Sequence, residues 1–135
     1  MSGYSKKSLV DKLGLRSGMR ALIEEPPDNY DTLLGGIPVD VEFVNEIEVG
    51  GFDFIQSFER TQSELVDHFG ELAQAIKKDG MIWISWPKKS SPLAGNLSED
   101  FIRELALEHG LVDVKVCAVD DDWSGLKLVW RKENR

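Results

Sequence analysis

The chain has 135 residues, a hydrophobic fraction of 41%, a charged fraction of 30% and a formal net charge of -8 at pH 7. Those values suit one globular domain, residues 1–135, with apolar surface for a single core, and they exclude a disordered chain. The negative balance opposes bulk binding to nucleic acid or anionic lipid, no apolar run reaches the ~20 residues of a membrane span, and the one cysteine, Cys117, has no internal disulfide partner.

A single unpaired thiol suits a reducing compartment. The first residues lack the apolar core of a signal peptide. A cytoplasmic location is therefore expected. Ser5 is placed to cap a short helix through Lys12, with Leu9, Val10 and Leu13 on its apolar side and Gly14 as its stop. Residues 19–23 read as the first strand. It enters Glu24, Glu25, Pro26 and Pro27, and neither proline can stay in a central strand. Asp28 is placed to cap a second short helix carrying Tyr30, Leu33 and Leu34, stopped by Gly35 and Gly36. Residues 39–44 alternate apolar and acidic, which suggests a strand with one wet face or an edge position. Residues 52–58 are an apolar third strand.

Thr61 and Glu64 have capping-box spacing. Leu65, Phe69, Leu72 and Ile76 follow on one helical face, and Lys77, Lys78 and Gly80 suit the helix end. Residues 81–86 are the fourth strand. It runs through Trp86 and Pro87 into a basic, hydroxyl-rich loop of Lys88, Lys89, Ser90 and Ser91. Ser98 caps another helix, with Ile102, Leu105 and Ala106 buried and Gly110 as the stop. Residues 112–119 are the fifth strand, with Val112, Val114, Val116 and Ala118 expected on one face. An acidic turn at 120–125 leads to a last strand at 126–130, close enough for an antiparallel hairpin.

The order α-β-α-β-β-α-β-α-β-β implies a three-layer Rossmann-like α/β sandwich. Its sheet is expected to be six-stranded and mostly parallel, closed by an antiparallel C-terminal hairpin. Residues 46–51 are barely long enough for a parallel return between the second and third strands. Either those strands are short or one runs antiparallel. A ligand crevice is sought between the ends of the first and fourth strands.

The run FDFIQSF, the helix after Thr61 and the sequence KKDGMIWIS resemble the second half of a class I methyltransferase. The closing hairpin and the entry LGLRSGMRALI resemble the same fold. That resemblance implies a methyltransferase-like scaffold. The glycine-rich turn that such enzymes place after the first strand is replaced by Glu24, Glu25, Pro26 and Pro27, and one middle strand is missing. The phrases KLGLRSGMR, WISWPKKSS and VDVKVCAVDDDWSGLKLVWRKENR are similar to a family of small bacterial proteins defined only as a domain of unknown function. This second resemblance spans nearly the whole chain and implies no activity.

Lys88, Lys89, Ser90 and Ser91 have the cations and hydroxyls of an anion site. A solvated loop explains them as well, because no glycine-rich phosphate cradle accompanies them. Trp86 and Trp123 stand at strand ends and could form an aromatic platform; ordinary packing is the simpler account. Glu24 directly follows the first strand and is the acid/base candidate by position. Asp120, Asp121 and Asp122 read as a capped turn rather than a cation site. His68 and His109 have no second histidine or cysteine nearby, so no metal site is expected. Cys117 reads as a structural strand residue. No catalytic residue set and no cofactor motif is found.

The expected function is a non-catalytic binding or protein-interaction module on a degenerate methyltransferase-like scaffold. The ligand residues would be Glu24, Trp86, Lys88, Lys89, Ser90, Ser91 and Trp123. The partner would be a small molecule, a protein or a second copy of the chain. The alternative is a small enzyme that binds S-adenosylmethionine or a nucleotide at an atypical site. Nucleic-acid contact through Lys88, Lys89 and the 131–135 tail is opposed by the net charge.

Overall fold

A computed structural model describes residues 8–135, so the expected cap Ser5 lies outside the described residues. The first helix, α1 (Leu9–Leu13), is capped by Ser8, whose hydroxyl accepts from the Asp11 amide, and Gly14 ends it in the left-handed region at φ 83°. The first strand is β1 (Arg20–Glu24). The next helix, α2 (Tyr30–Leu34), begins at Asn29 without a side-chain cap, so Asp28 does not play that part; the Tyr30 amide donates to the Pro27 carbonyl instead. The expected second strand shrinks to β2 (Glu42–Phe43), a two-residue edge strand. Then come β3 (Phe52–Phe58), α3 (Gln62–Ala75), β4 (Ile76–Pro87), α4 (Glu99–Glu108), β5 (Leu111–Ala118) and β6 (Trp123–Trp130).

The six strands form one sheet in the order β2-β1-β3-β4-β6-β5. Strands β2, β1, β3 and β4 are parallel, and β6 runs antiparallel to both β4 and β5. The short link between β2 and β3 is thereby explained. The two strands are not neighbours: each pairs with β1, on opposite sides.

Helices cover both faces. Leu65, Phe69 and Leu72 of α3 and Ile102, Leu105 and Ala106 of α4 bury one face with Ile55, Ile82, Ile84, Leu126 and Leu128. Leu9, Val10 and Leu13 of α1 and Tyr30 and Leu34 of α2 cover the other with Phe54, Phe58, Trp83 and Trp123. Trp83 is fully buried, and its indole N–H donates to the Leu13 carbonyl at 2.7 Å, which ties α1 to the sheet. Each such large apolar side chain contributes about 1.5–3 kcal/mol by leaving water.

Two further expected details are overturned. The helix α3 stops at Ala75, and Lys77, Lys78 and Gly80 lie within β4 rather than at a helix end. Ile76 already pairs with Phe52, and Phe54 pairs with Met81, so the residues between Ile76 and Met81 bulge out of the ladder. A Cβ at Gly80 would stand 2.8 Å from the Phe52 carbonyl oxygen, so glycine serves a close backbone approach there, not a helix stop. In β5 a register shift falls between Asp113 and Lys115. Val112 pairs with Val129 and Val116 with Leu126, residues on opposite faces of β6, so the expected single valine face does not form.

Candidate functional site

The parallel strands β1 and β3 end side by side, and the chain leaves β1 toward β2 on one side and enters β3 on the other. A parallel sheet opens a crevice at such a point. A cleft of about 960 Å³ lies there, bounded by the β1 exit, the β3 exit and the first turns of α3. It is not between β1 and β4, because β3 separates them.

The geometry follows from register. Leu22 is opposite Ile55 and Glu24 is opposite Ser57 in the β1–β3 ladder, so Glu24 and Ser57 share the α3 side of the sheet. Glu59 follows β3 and is held by its amide, which donates to the Ser85 carbonyl at 2.8 Å. In α3, Leu65, Phe69 and Leu72 face the core. Glu64, His68 and Glu71, at i−4, i and i+3, form the adjoining stripe and line the cleft.

His68 is the centre of the site. Its Nε2 lies 2.7 Å from Glu59 Oε2 and 3.7 Å from Glu24 Oε1. Its Nδ1 lies 2.7 Å from the Glu64 carbonyl oxygen. A carbonyl only accepts, so Nδ1 carries a proton in either charge state of the ring. The Ser57 hydroxyl donates to the same Glu59 oxygen that faces His68. Glu59 is 4% exposed, the most enclosed of the three titratable groups.

Burial raises the Glu59 carboxyl above its ordinary value, with the Ser57 hydrogen bond and His68 opposing. Burial also raises Glu24; His68 opposes, and Glu71 and Glu25 reinforce. For His68, burial alone would lower the imidazole. The Glu59 carboxylate, the Glu64 carbonyl and Glu24 outweigh it, and the net shift is upward. The three groups therefore hold protons more tightly than free side chains do.

The charged part of the lining is mostly acidic. Glu25, Glu64, Asp67 and Glu71 join Glu24 and Glu59, against Arg60 and His68. Such a wall repels phosphates and favours cations. Glu25 itself stands at φ 53°, the left-handed region that usually takes glycine. A sharp turn at the end of β1 is thus made without glycine, and Pro26 and Pro27 add no amide donors to it.

Glu24 and Trp123 line the cleft together. Trp123 is 5% exposed and packs edge-to-face against Phe58 with ring centroids 5.0 Å apart. Trp86 is buried in the core on the α3 and α4 side, away from the lining. Lys88, Lys89, Ser90 and Ser91 do not line the cleft. Their loop is tied to residues next to the lining: the Lys88 amide donates to the Asp122 carbonyl, beside Trp123, and Ser91 Oγ accepts from the Leu93 amide. Leu93 does reach the cleft wall. Farther along that loop the Gln62 amide donates to Asn96 Oδ1 at 2.8 Å, and a Cβ at Gly95 would stand 2.5 Å from the Arg60 carbonyl oxygen. The loop is thus pinned to the start of α3.

The other polar residues weighed from the sequence have structural partners. Asp120 Oδ1 accepts from the Asp122 and Trp123 amides and forms the capped turn. His109 Nδ1 faces the Leu105 carbonyl, and its ring packs against Phe69. Burial raises the Cys117 thiol, with Lys12 and Lys115 opposing, so it is a poor nucleophile. Among the described residues no group of three His, Cys, Asp or Glu side chains can hold a metal ion, and no helix is long and apolar enough to cross a membrane. Glu59 is not among the residues the sequence singles out, and His68 is weighed there only as a metal ligand. The available signal was the Glu64, His68, Glu71 stripe beside the core stripe of a helix that follows the central strand.

The family model for proteins of unknown function DUF3052 matches residues 39–132. No curated protein matches the sequence. Among solved structures, a TehB-like SAM-dependent methyltransferase from Corynebacterium glutamicum is similar at TM-score 0.57 and 12% identity, over 96% of this chain and 91% of that one. A SAM-dependent methyltransferase from Aquifex aeolicus is similar at TM-score 0.60 and 17% identity, over 88% and 86%. A possible exported protein from Bordetella parapertussis is similar at TM-score 0.65 and 12% identity, over 90% and 65%. At such identities the likeness establishes the fold, a methyltransferase-like scaffold, and nothing of the chemistry.

Proposed function

The chain belongs to the DUF3052 family of proteins of unknown function, and from that premise we propose that it is a binding module that takes a small molecule in the acidic cleft at the ends of β1 and β3. The carrying observation is the meeting of Glu24, Glu59 and His68 in one cleft at the strand-order reversal of the sheet. Glu24 and Trp123 form the seat. The loop of Lys88, Lys89, Ser90 and Ser91 forms the approach, anchored by the buried Trp86 at the end of β4, its lysines meeting the ligand's outer, anionic end. Thermal-shift and calorimetric screening of a neutral, cationic and anionic fragment set tests the cleft. Hits weakened at least tenfold by Glu24→Gln support it; hits indifferent to that substitution refute it. The double substitution Lys88→Ala, Lys89→Ala tests the loop, with a loss of about threefold to tenfold in affinity expected for ligands that carry a carboxylate.

A second reading is a small enzyme using S-adenosylmethionine, and the methyltransferase-like neighbours favour it. The β1 exit does not fit the glycine-rich seat of that cofactor, since Glu25 occupies the turn and two prolines follow. Calorimetry with S-adenosylmethionine and S-adenosylhomocysteine decides between the readings. Absence of heat and of a thermal shift at millimolar ligand leaves the binding module alone.

A further inference from the structure

Three polar atoms converge in the cleft: Glu24 Oε1, Glu59 Oε2 and His68 Nε2. The Glu64 carbonyl fixes the proton of His68 on Nδ1. When the ring is neutral, Nε2 therefore presents a lone pair to two carboxylate oxygens. Three acceptors then face one another, and the Ser57 hydroxyl supplies a donor to only one of them. Such an arrangement calls for a donor, and two groups can supply it with both carboxylates charged. One is a proton on Nε2, which makes the ring an imidazolium bridging Glu59 and Glu24. The other is an N–H group of a ligand.

Resting on the cleft as the binding site, we propose that its ligand carries a primary ammonium group, whose N–H bonds enter between Glu24, Glu59 and His68 as the Nε2 proton of His68 leaves to solvent. Cation and proton compete for one place. Every charged neighbour bears on the exchange. The β1 exit contributes Glu24 and Glu25, the β3 exit contributes Glu59 and Arg60, and α3 contributes Glu64, Asp67 and Glu71. All but Arg60 favour a cation. Binding must therefore strengthen as pH rises through the titration of His68, by up to about tenfold per pH unit while one proton is exchanged. The ammonium itself stays charged over that range.

The geometry also separates ammonium types. A quaternary ammonium has the charge and no N–H donor, so it satisfies none of the three acceptors. An anion meets the carboxylates with the wrong sign.

A matched probe series tests this: n-butylamine, butyltrimethylammonium and butyrate, titrated into the full chain at pH 6, 7 and 8. Calorimetry reads affinity, and ¹H–¹⁵N spectra locate the contact. For n-butylamine at least a fivefold gain in affinity from pH 6 to pH 8 is expected, with shifts at His68 and Trp123. Butyltrimethylammonium is expected to bind at least fivefold more weakly at pH 8. His68→Gln is expected to reduce the pH effect below twofold, and Glu24→Gln to weaken n-butylamine at least tenfold. Glu24 is half-buried at a strand exit, so its amide variant keeps the fold. Affinity that is flat or falls with rising pH, or equal binding of the two cations, overturns the exchange. If butyrate or neutral fragments shift cleft signals and n-butylamine does not, the ammonium assignment fails while the cleft remains the binding site. If nothing shifts them, both fail.

Discussion

Replacing Glu59 by glutamine should lower the titration midpoint of His68 and leave the fold intact. Glu59 is 4% exposed and lies 2.7 Å from His68 Nε2. Glutamine keeps its size and can still accept from Ser57. What it removes is a buried negative charge that bonds the imidazolium. A charge-assisted hydrogen bond is worth a net ~1.5–3 kcal/mol, and one pH unit corresponds to ~1.36 kcal/mol. His68 is about one-third exposed, so solvent screening argues for the low end, a fall of about one unit. The same substitution removes the cost of burying a carboxylate whose proton is held tightly. Unfolding midpoints at pH 8 should therefore stay level or rise. The assay is a ¹H–¹³C titration of the His68 ring in both proteins, with thermal denaturation at pH 8. A midpoint that is unchanged or higher in Glu59→Gln refutes the coupling of the two groups.

The wild type should lose stability as pH rises from about 5 to 8. Glu24, Glu59 and His68 all hold protons more tightly folded than free. Their stabilisation is complete below the ordinary values of 4.5 and 6.5 and is lost as pH passes the raised ones. Thermal melts should show that slope, and Glu24→Gln with His68→Gln should flatten it. Glu25→Gly should stabilise by about 0.5–1 kcal/mol in urea unfolding, since glycine relieves a left-handed strain of ~1–2 kcal/mol and loses part of that as unfolded-chain entropy. Tyr30→Phe should cost about 1–3 kcal/mol, because the Tyr30 hydroxyl donates to the buried Gln56 Oε1 and nothing else in that network replaces it.

Much of the fold was legible because local signals agreed with tertiary packing. The apolar run at residues 52–58 is β3 to the residue. Thr61 and Ser98 cap their helices as their spacing implies. The errors arose where a residue served a distant contact. Lys77, Lys78 and Gly80 look like a helix end, but the approach of the Phe52 carbonyl places them in a bulge. The valine alternation in β5 hides a register shift that only pairing with β6 reveals. At the cleft, Glu24 and Trp123 were identifiable from their places at strand ends. Glu59 and His68 were not, because their bond joins a strand exit to the second turn of a helix, and no spacing rule records that approach. The proline-bearing exit of β1 was read as the loss of a glycine turn; the turn itself survives, on Glu25.

The most direct test of the cleft as the binding site is a ¹H–¹⁵N map of fragment binding to the full chain, following the indole of Trp123 and the amides of Glu24, Glu59 and His68. The account predicts that fragment-induced shifts concentrate on these residues and fall sharply in Glu24→Gln. Shifts that cluster on the β2 edge or the outer face of β5, with these four residues unmoved, would contradict it.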